Sequence, residues 1–136
     1  MLSVDAMAAD PKFLLDSNIA IYLIGGHARA AGQRLAECEL GSVVTSSICL
    51  AEMRVGRSDA ELNALGIMLQ RIDVLDFDAA AAEAYARLPF KRGGFDRLIA
   101  AHAVSRGLTL VTANERDFAG IDGLLVENWT VEGADA

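Results

Sequence analysis

At 136 residues the chain is one ordinary domain, long enough to bury a core without disulfide or metal staples. With 53% hydrophobic residues it is globular rather than disordered, and its longest apolar run, "IAIYLI", is far too short to span a bilayer. The net charge of −7 argues against a simple electrostatic nucleic-acid binder, which would be basic.

The opening stretch, "MLSVDAMAADPK", is mixed and carries acids. It lacks the basic-then-apolar pattern of an export signal, so cytoplasmic residence is expected, with no membrane partner. Met1 or Met7 serves as the start, and residues 1–11 read as a loose N-terminal extension of a single 1–136 domain.

"KFLLD" is a short apolar run ended by "DSN", which predicts a buried strand running into a helix cap. "IAIYLI" is helical but apolar nearly all round, so one of its faces needs a cover from a second helix, a second copy or a partner segment. "ARAAGQRLAECEL" is a further helix, and "SVVTS" a β-branched strand. "SSICLAEMRVG" then reads as an amphipathic helix with Ile48 and Val55 on its apolar face and Glu52 on that face between them. "DAELNALGIMLQRI" is helical, "VLDF" a strand and "DAAAAEAYARL" a helix stopped by Pro89. "FDRLIAAHAVSRG" is a helix ended by Gly107, "LTLVT" a fourth strand before a turn at "ANERD", and "LLVENW" a last short strand. Strands alternating with helices predict an α/β fold, with a short, mainly parallel sheet covered on both faces.

In such sheets functional groups gather outside the carboxyl ends of the strands. Acids stand at those ends here. Asp16 follows the first strand, Glu52 lies one and a half turns into the helix after the second, and Asp117 and Asn114 sit in the turn after the fourth. Asp96 opens the helix leading into that fourth strand. Two carboxylates about 4 Å apart repel by roughly 4 kcal/mol at an effective dielectric near 20. Such groups share protons or hold a cation. Oxygen-only ligands suit Mg²⁺ or Mn²⁺, the usual device for phosphoryl chemistry, which polarises the phosphate and lowers the pKa of an attacking water. Each acid also has a plainer use. Asp16 suits a helix cap, Asp96 a first helical turn, Asp117 a loop, whereas Glu52 on an apolar face is hardest to explain without an ion.

The remaining polar residues are less informative. Cys38 and Cys49 have no ligand spacing and read as small buried hydrophobes. His102 lies about 120° around its helix from Asp96 and reads as structural or partly exposed rather than as a ligand. "RLPFKRGGFDR" concentrates Arg87, Lys91, Arg92 and Arg97 in an acidic chain, a stretch suited to an RNA backbone, with Phe95 available to stack on a base.

Four stretches, "FLLDSNIAIYLI", "SSICLAEMRVG", "FDRLIAAHAVSRGLTLVTANERDF" and "GLLVENW", give the chain a resemblance to the PIN domain, specifically the VapC-type toxin ribonucleases of bacterial toxin–antitoxin pairs. They come in the family order and span almost the whole chain, the third being the most specific. The resemblance implies a PIN-like three-layer sandwich, divalent-metal-dependent RNA cleavage, dimerisation and inhibition by a VapB-type antitoxin. Asp16, Glu52, Asp96 and Asp117 match the family's acidic quartet, implied to be both catalytic and metal-binding. Ser17 stands where a small hydroxyl is usual, and Asn114 where a polar residue often assists. The compact "FKRGGF" before Asp96 departs from the fuller loop of the family. Two other readings suit the same acids: another metal-dependent phosphoesterase, such as a structure-selective DNA nuclease, and a non-catalytic α/β binding module.

Overall fold

A computed structural model of the chain describes residues 9–89 and 94–130. Five strands form one sheet: β1 (Phe13–Leu15), β2 (Val43–Ser46), β3 (Asp73–Leu75), β4 (Thr109–Val111) and β5 (Val126–Glu127). Their order is β3-β2-β1-β4-β5, and every neighbouring pair is parallel. Phe13 is level with Val43 on one side and Thr109 on the other, so β1 is central and its carboxyl end opens at the middle of the sheet.

Among the described residues six helices connect and cover the strands: α1 (Ser17–Ile24), α2 (Arg29–Glu37), α3 (Ser47–Arg54), α4 (Asp59–Met68), α5 (Ala79–Arg87) and α6 (Phe95–Arg106). α1 packs against α2, α3 and α4, whereas α6 packs against α5 and α3. The sheet thus lies between helical layers as a three-layer α/β fold. Strand residues Leu14, Leu15, Val43, Val44, Leu110 and Val111 are buried with Ile19, Met53, Leu65 and Ile99 from the helices. Parallel strands covered on both faces read as continuous apolar runs for this reason.

Local chemistry sets the helix starts. Asp16, Ser46 and Asp78 cap α1, α3 and α5 with their side chains, and Ser58 with Glu61 forms a reciprocal capping box on α4. Gly107 ends α6 at φ 65°, a conformation that a side chain rarely adopts. The predicted helix over 59–72 is shorter than expected: α4 stops at Met68, and the chain turns through Leu69 and Gln70 to reach the buried Ile72, the residue before β3. α1 is covered mainly by its own chain, with Ile19 and Ala20 buried, Ile21, Leu23 and Ile24 half-buried and only Tyr22 exposed among its apolar residues. Ala9 is tied by its N–H to the Leu40 carbonyl at 2.9 Å. No helix among the described residues is long and apolar enough to cross a membrane.

Candidate active site

The carboxyl ends of β1, β2 and β4 lie side by side, and each delivers polar side chains to one place. β1 ends at Leu15, so Asp16 is the first residue beyond the sheet. Its own N–H still donates to the Val111 carbonyl of β4 at 2.8 Å, and its side chain starts α1. Oδ1 accepts from the Ser17 N–H at 2.8 Å and Oδ2 from the Thr112 hydroxyl at 2.8 Å. Asp16 is therefore the helix cap it resembles, and also a carboxylate only 2% exposed. Burial raises its pKa to about 6. The Thr112 and Ser17 hydrogen bonds oppose that rise, while the charges of Asp96 and Glu52 add to it.

Glu52 reaches the same spot from α3, because its Oε1 accepts the Ser17 hydroxyl at 2.8 Å. The face that α3 buries differs from the expected one. Cys49 and Met53 are buried, Ile48 is half-buried and Val55 is 70% exposed. The helix ends at Arg54 and Val55 is an extended cap, so the seven-residue spacing from Ile48 does not project onto a helical face there. Glu52 borders the buried stripe rather than interrupting it.

Asp96 occupies the first turn of α6 and is exposed, yet partial desolvation raises its pKa, with the Asp117 charge second. Asp117 lies in a 3-10 helix, Glu115–Phe118, which follows β4 after Thr112, Ala113 and Asn114. Asn114 precedes that helix with its side chain exposed, and its backbone N–H donates to Thr112 Oγ1 at 3.1 Å. The electrostatic coupling runs from Glu52 to Asp16, from Asp16 to Asp96 and from Asp96 to Asp117. A pocket of about 300 Å³ lined by Ala113, Asn114, Glu115, Arg116 and Asp117 opens beside this chain of acids.

Two functional-looking residues escape the sequence reading. Thr112 donates to Asp16 while accepting from Asn114, and Asn18 donates to Thr112 Oγ1 at 3.3 Å while accepting the Ala113 N–H at 3.2 Å. Their only signal in the sequence is position, at the ends of "DSN" and "LVT". Of the cationic set, Arg87 is exposed in the last turn of α5 and Arg97 is half-buried on α6, whereas Lys91 and Arg92 lie outside the described residues. Phe95 is 51% exposed at the start of α6. His102 is fully buried, with Nδ1 2.8 Å from the Ser46 hydroxyl.

Among the described residues no three acidic, histidine or cysteine side chains already form a metal-holding group. The donor chemistry nonetheless fits a hard cation. The converging groups are carboxylates and neutral oxygens, and a buried carboxylate pushed up to about 6 by its surroundings gains from a nearby positive charge. The one thiol nearby, Cys49, is pushed up to about 12 by burial and by the Asp16 charge, so it offers no thiolate at neutral pH.

Comparison with known proteins agrees with this geometry. Residues 13–124 match the PIN domain family. The chain is 37% identical to the tRNA(fMet)-specific endonuclease VapC of Shigella flexneri, over 88% of this chain and 98% of that one. It superposes on the crystal structure of DNA-bound VapBC from Salmonella typhimurium with a TM-score of 0.74 and 34% identity, covering 88% of this chain and 98% of that one. The structure of VapBC2 from Rickettsia felis bound to a promoter DNA fragment gives a TM-score of 0.73 at 31% identity, over 86% and 98%. The chain belongs to the PIN-domain family and, within it, to the VapC group.

Proposed function

We propose that the chain is a divalent-metal-dependent endoribonuclease, the toxin of a toxin–antitoxin pair, hydrolysing RNA phosphodiesters. The observation that carries this reading is the buried Asp16 carboxylate, which shares its electrostatic field with Glu52 and Asp96 at the carboxyl edge of a parallel sheet. The names of the relatives, an endonuclease acting on tRNA(fMet) among them, supply the substrate class.

Asp16 and Asp96 are the principal ligands in this reading, with Glu52 and Asp117 completing the site. Mg²⁺ or Mn²⁺, when bound, supplies Lewis acidity toward the phosphate and the attacking water. The protein's own part is positional. Thr112 and the Ser17 N–H each hold one oxygen of Asp16, so the carboxylate is fixed in one orientation in which it would serve as a ligand to the cation. The Ser17 hydroxyl fixes one oxygen of Glu52. Asn18 locks Thr112 and the backbone at Ala113, which sets where the turn carrying Asn114 and Asp117 begins. Arg87, Lys91, Arg92 and Arg97 hold the RNA backbone. Hydrolysis by water gives a 5′-phosphate and a 3′-hydroxyl.

A VapB-type antitoxin is the proposed partner, because the structural neighbours are VapBC complexes, and a homodimer is the assembly that the family resemblance implies. The test is direct. Purified protein with Mg²⁺ is incubated separately with initiator tRNA, flap DNA and a phosphomonoester, and the 5′ ends of any RNA fragments are sequenced. Cleavage of RNA alone, lost in Asp16→Asn, is expected. Turnover of DNA or the monoester in preference to RNA would refute it. Metal binding without any turnover would mark a binding module instead.

A further inference from the structure

Among the groups that this reading leaves unused, His102 stands out. It is a fully buried imidazole in the middle of α6, six residues after Asp96. Its Nδ1 and the Ser46 hydroxyl share a 2.8 Å hydrogen bond. Ser46 is the last residue of β2 and the cap of α3, where the same oxygen accepts the Ile48 N–H at 3.1 Å. Phe77, after β3, meets the imidazole edge to face with centroids 5.6 Å apart, and its N–H donates to the neighbouring Ser47 hydroxyl at 3.0 Å. Three segments therefore meet at this ring: the helix that carries Asp96, the cap of the helix that carries Glu52, and the connection after β3.

The other ring nitrogen, Nε2, is buried and has no hydrogen-bond partner among the described residues. Leaving a buried polar atom unpaired costs stability, and an apolar side chain of similar volume would fill the space without that cost. Packing alone therefore does not account for a histidine. What the imidazole adds is the directional bond to Ser46. Burial also holds its pKa below the ordinary histidine value, so the ring is neutral at pH 7 and needs no counter-charge.

We propose that His102 is a positioning residue of the active site, which sets the placement of Glu52 relative to Asp96 by anchoring the Ser46 cap of α3 to α6. Glu52 lies about 9 Å along the helix axis from Ser46, at a rise of about 1.5 Å per residue. A small tilt at the cap becomes a displacement of the Glu52 carboxylate. Misplacement on the ångström scale is enough to slow a reaction that depends on converging ligands. The inference rests on the nuclease reading above and deepens it.

The experiment compares His102→Leu, His102→Asn and Ser46→Ala with the parent and with Asp96→Asn, well below each variant's melting midpoint. RNA cleavage gives kcat and KM, and calorimetric titration with Mn²⁺ gives metal affinity. Asn offers a polar atom near the place of Nδ1, whereas Leu offers none. Leu at 102 and Ala at 46 should each lower kcat about tenfold with KM nearly unchanged, and weaken Mn²⁺ several-fold. Asn at 102 should recover most of both losses. Parent-like kcat and Mn²⁺ affinity in His102→Leu, or Asn performing no better than Leu, would overturn the proposal. Should His102→Leu fail to fold, Ser46→Ala decides by the same two readouts. Asp96→Asn separates the failures: full activity there sinks the nuclease site itself, whereas an inactive Asp96→Asn beside a fully active His102→Leu sinks only the role of His102.

Discussion

The Thr112 hydroxyl donates to Asp16 Oδ2 at 2.8 Å, joining the ends of adjacent strands β4 and β1 at the most buried acid of the site. The bond favours the carboxylate over the carboxylic acid and so works against the burial that raises its pKa to about 6. Replacing Thr112 with Val keeps the shape and removes the donor. The pKa of Asp16 should then climb further. Protons compete with cations for a ligand, so the pH at which Mn²⁺ affinity falls should move upward in Thr112→Val. Calorimetric titrations from pH 5 to 8 measure this. An unchanged pH dependence would show that Thr112 does not control the ionisation of Asp16.

The same raised pKa makes a stability prediction with a definite sign. Asp16 titrates near 3.8 when unfolded and near 6 when folded, so between those values the folded state binds more protons. Stability then falls as pH rises through that window, by about 3 kcal/mol for this one group, and the loss is complete above it. Asn at position 16 still caps α1 but carries no charge. In chelator, Asp16→Asn should melt at a higher temperature than the parent at pH 7, and the gap should close toward pH 4. Millimolar Mg²⁺ should raise the midpoint of the parent far more than that of the variant. Equal midpoints at pH 7, with and without metal, would mean that the buried carboxylate is not strained.

Much of this arrangement is legible in the sequence, and the exceptions have physical causes. The alternation of apolar runs with helical patterns is a local property, so every strand and helix is found near its expected place, and the rule about carboxyl ends then puts Asp16, Glu52 and Asp117 at one edge. Glu52 meets Ser17 beside Asp16, but not through the apolar-face spacing that singles it out in the sequence. Ile48 and Val55 share a face only on a helix that continues to Val55, but α3 ends one residue earlier and the buried stripe is Cys49 and Met53. Thr112 and Asn18 go unnoticed because each is common in strands or caps, and their importance lies in bonds between residues more than ninety positions apart, which no window along the chain contains. His102 is placed correctly off the Asp96 face, but its bond to Ser46 depends on how α6 packs on β2, which is a tertiary fact.

The Ser17–Glu52 hydrogen bond separates orientation from ligand identity. Ser17→Ala keeps all four carboxylates and removes the hydroxyl that donates to Glu52 Oε1 at 2.8 Å and lies 3.5 Å from Asp16 Oδ1. Cleavage should fall about tenfold, whereas Asp16→Asn and Asp96→Asn should abolish it, because in the proposed mechanism they remove ligands rather than aim them. The check is kcat under saturating Mg²⁺ for the three variants, with circular dichroism to establish folding. A Ser17→Ala enzyme as inactive as Asp96→Asn would place Ser17 among the reacting groups. One as active as the parent would leave the bond without a catalytic consequence.

Binding of RNA by an acidic chain needs a local concentration of positive charge, and residues 87–97 supply the densest one. Arg87 at the end of α5 and Arg97 on α6 bracket the stretch, Lys91 and Arg92 lie between them, and Asp96 falls within it. Under the proposed function, a backbone held there would lie beside the acids instead of being repelled across the rest of the surface. Each phosphate contact releases counterions and contributes about 0.7 to the logarithmic salt slope for single-stranded RNA. Changing Lys91 and Arg92 together to Glu should therefore flatten the slope by about 1.4 and weaken binding at low salt. Measuring affinity in an Asp16→Asn background prevents cleavage during the titration. Phe95→Ala in the same background should weaken binding without altering the slope, because stacking on an exposed ring moves no ions. If the double charge reversal leaves the slope where it was, the RNA path runs elsewhere, and Arg116 in the pocket beside Asp117 is the next cation to reverse.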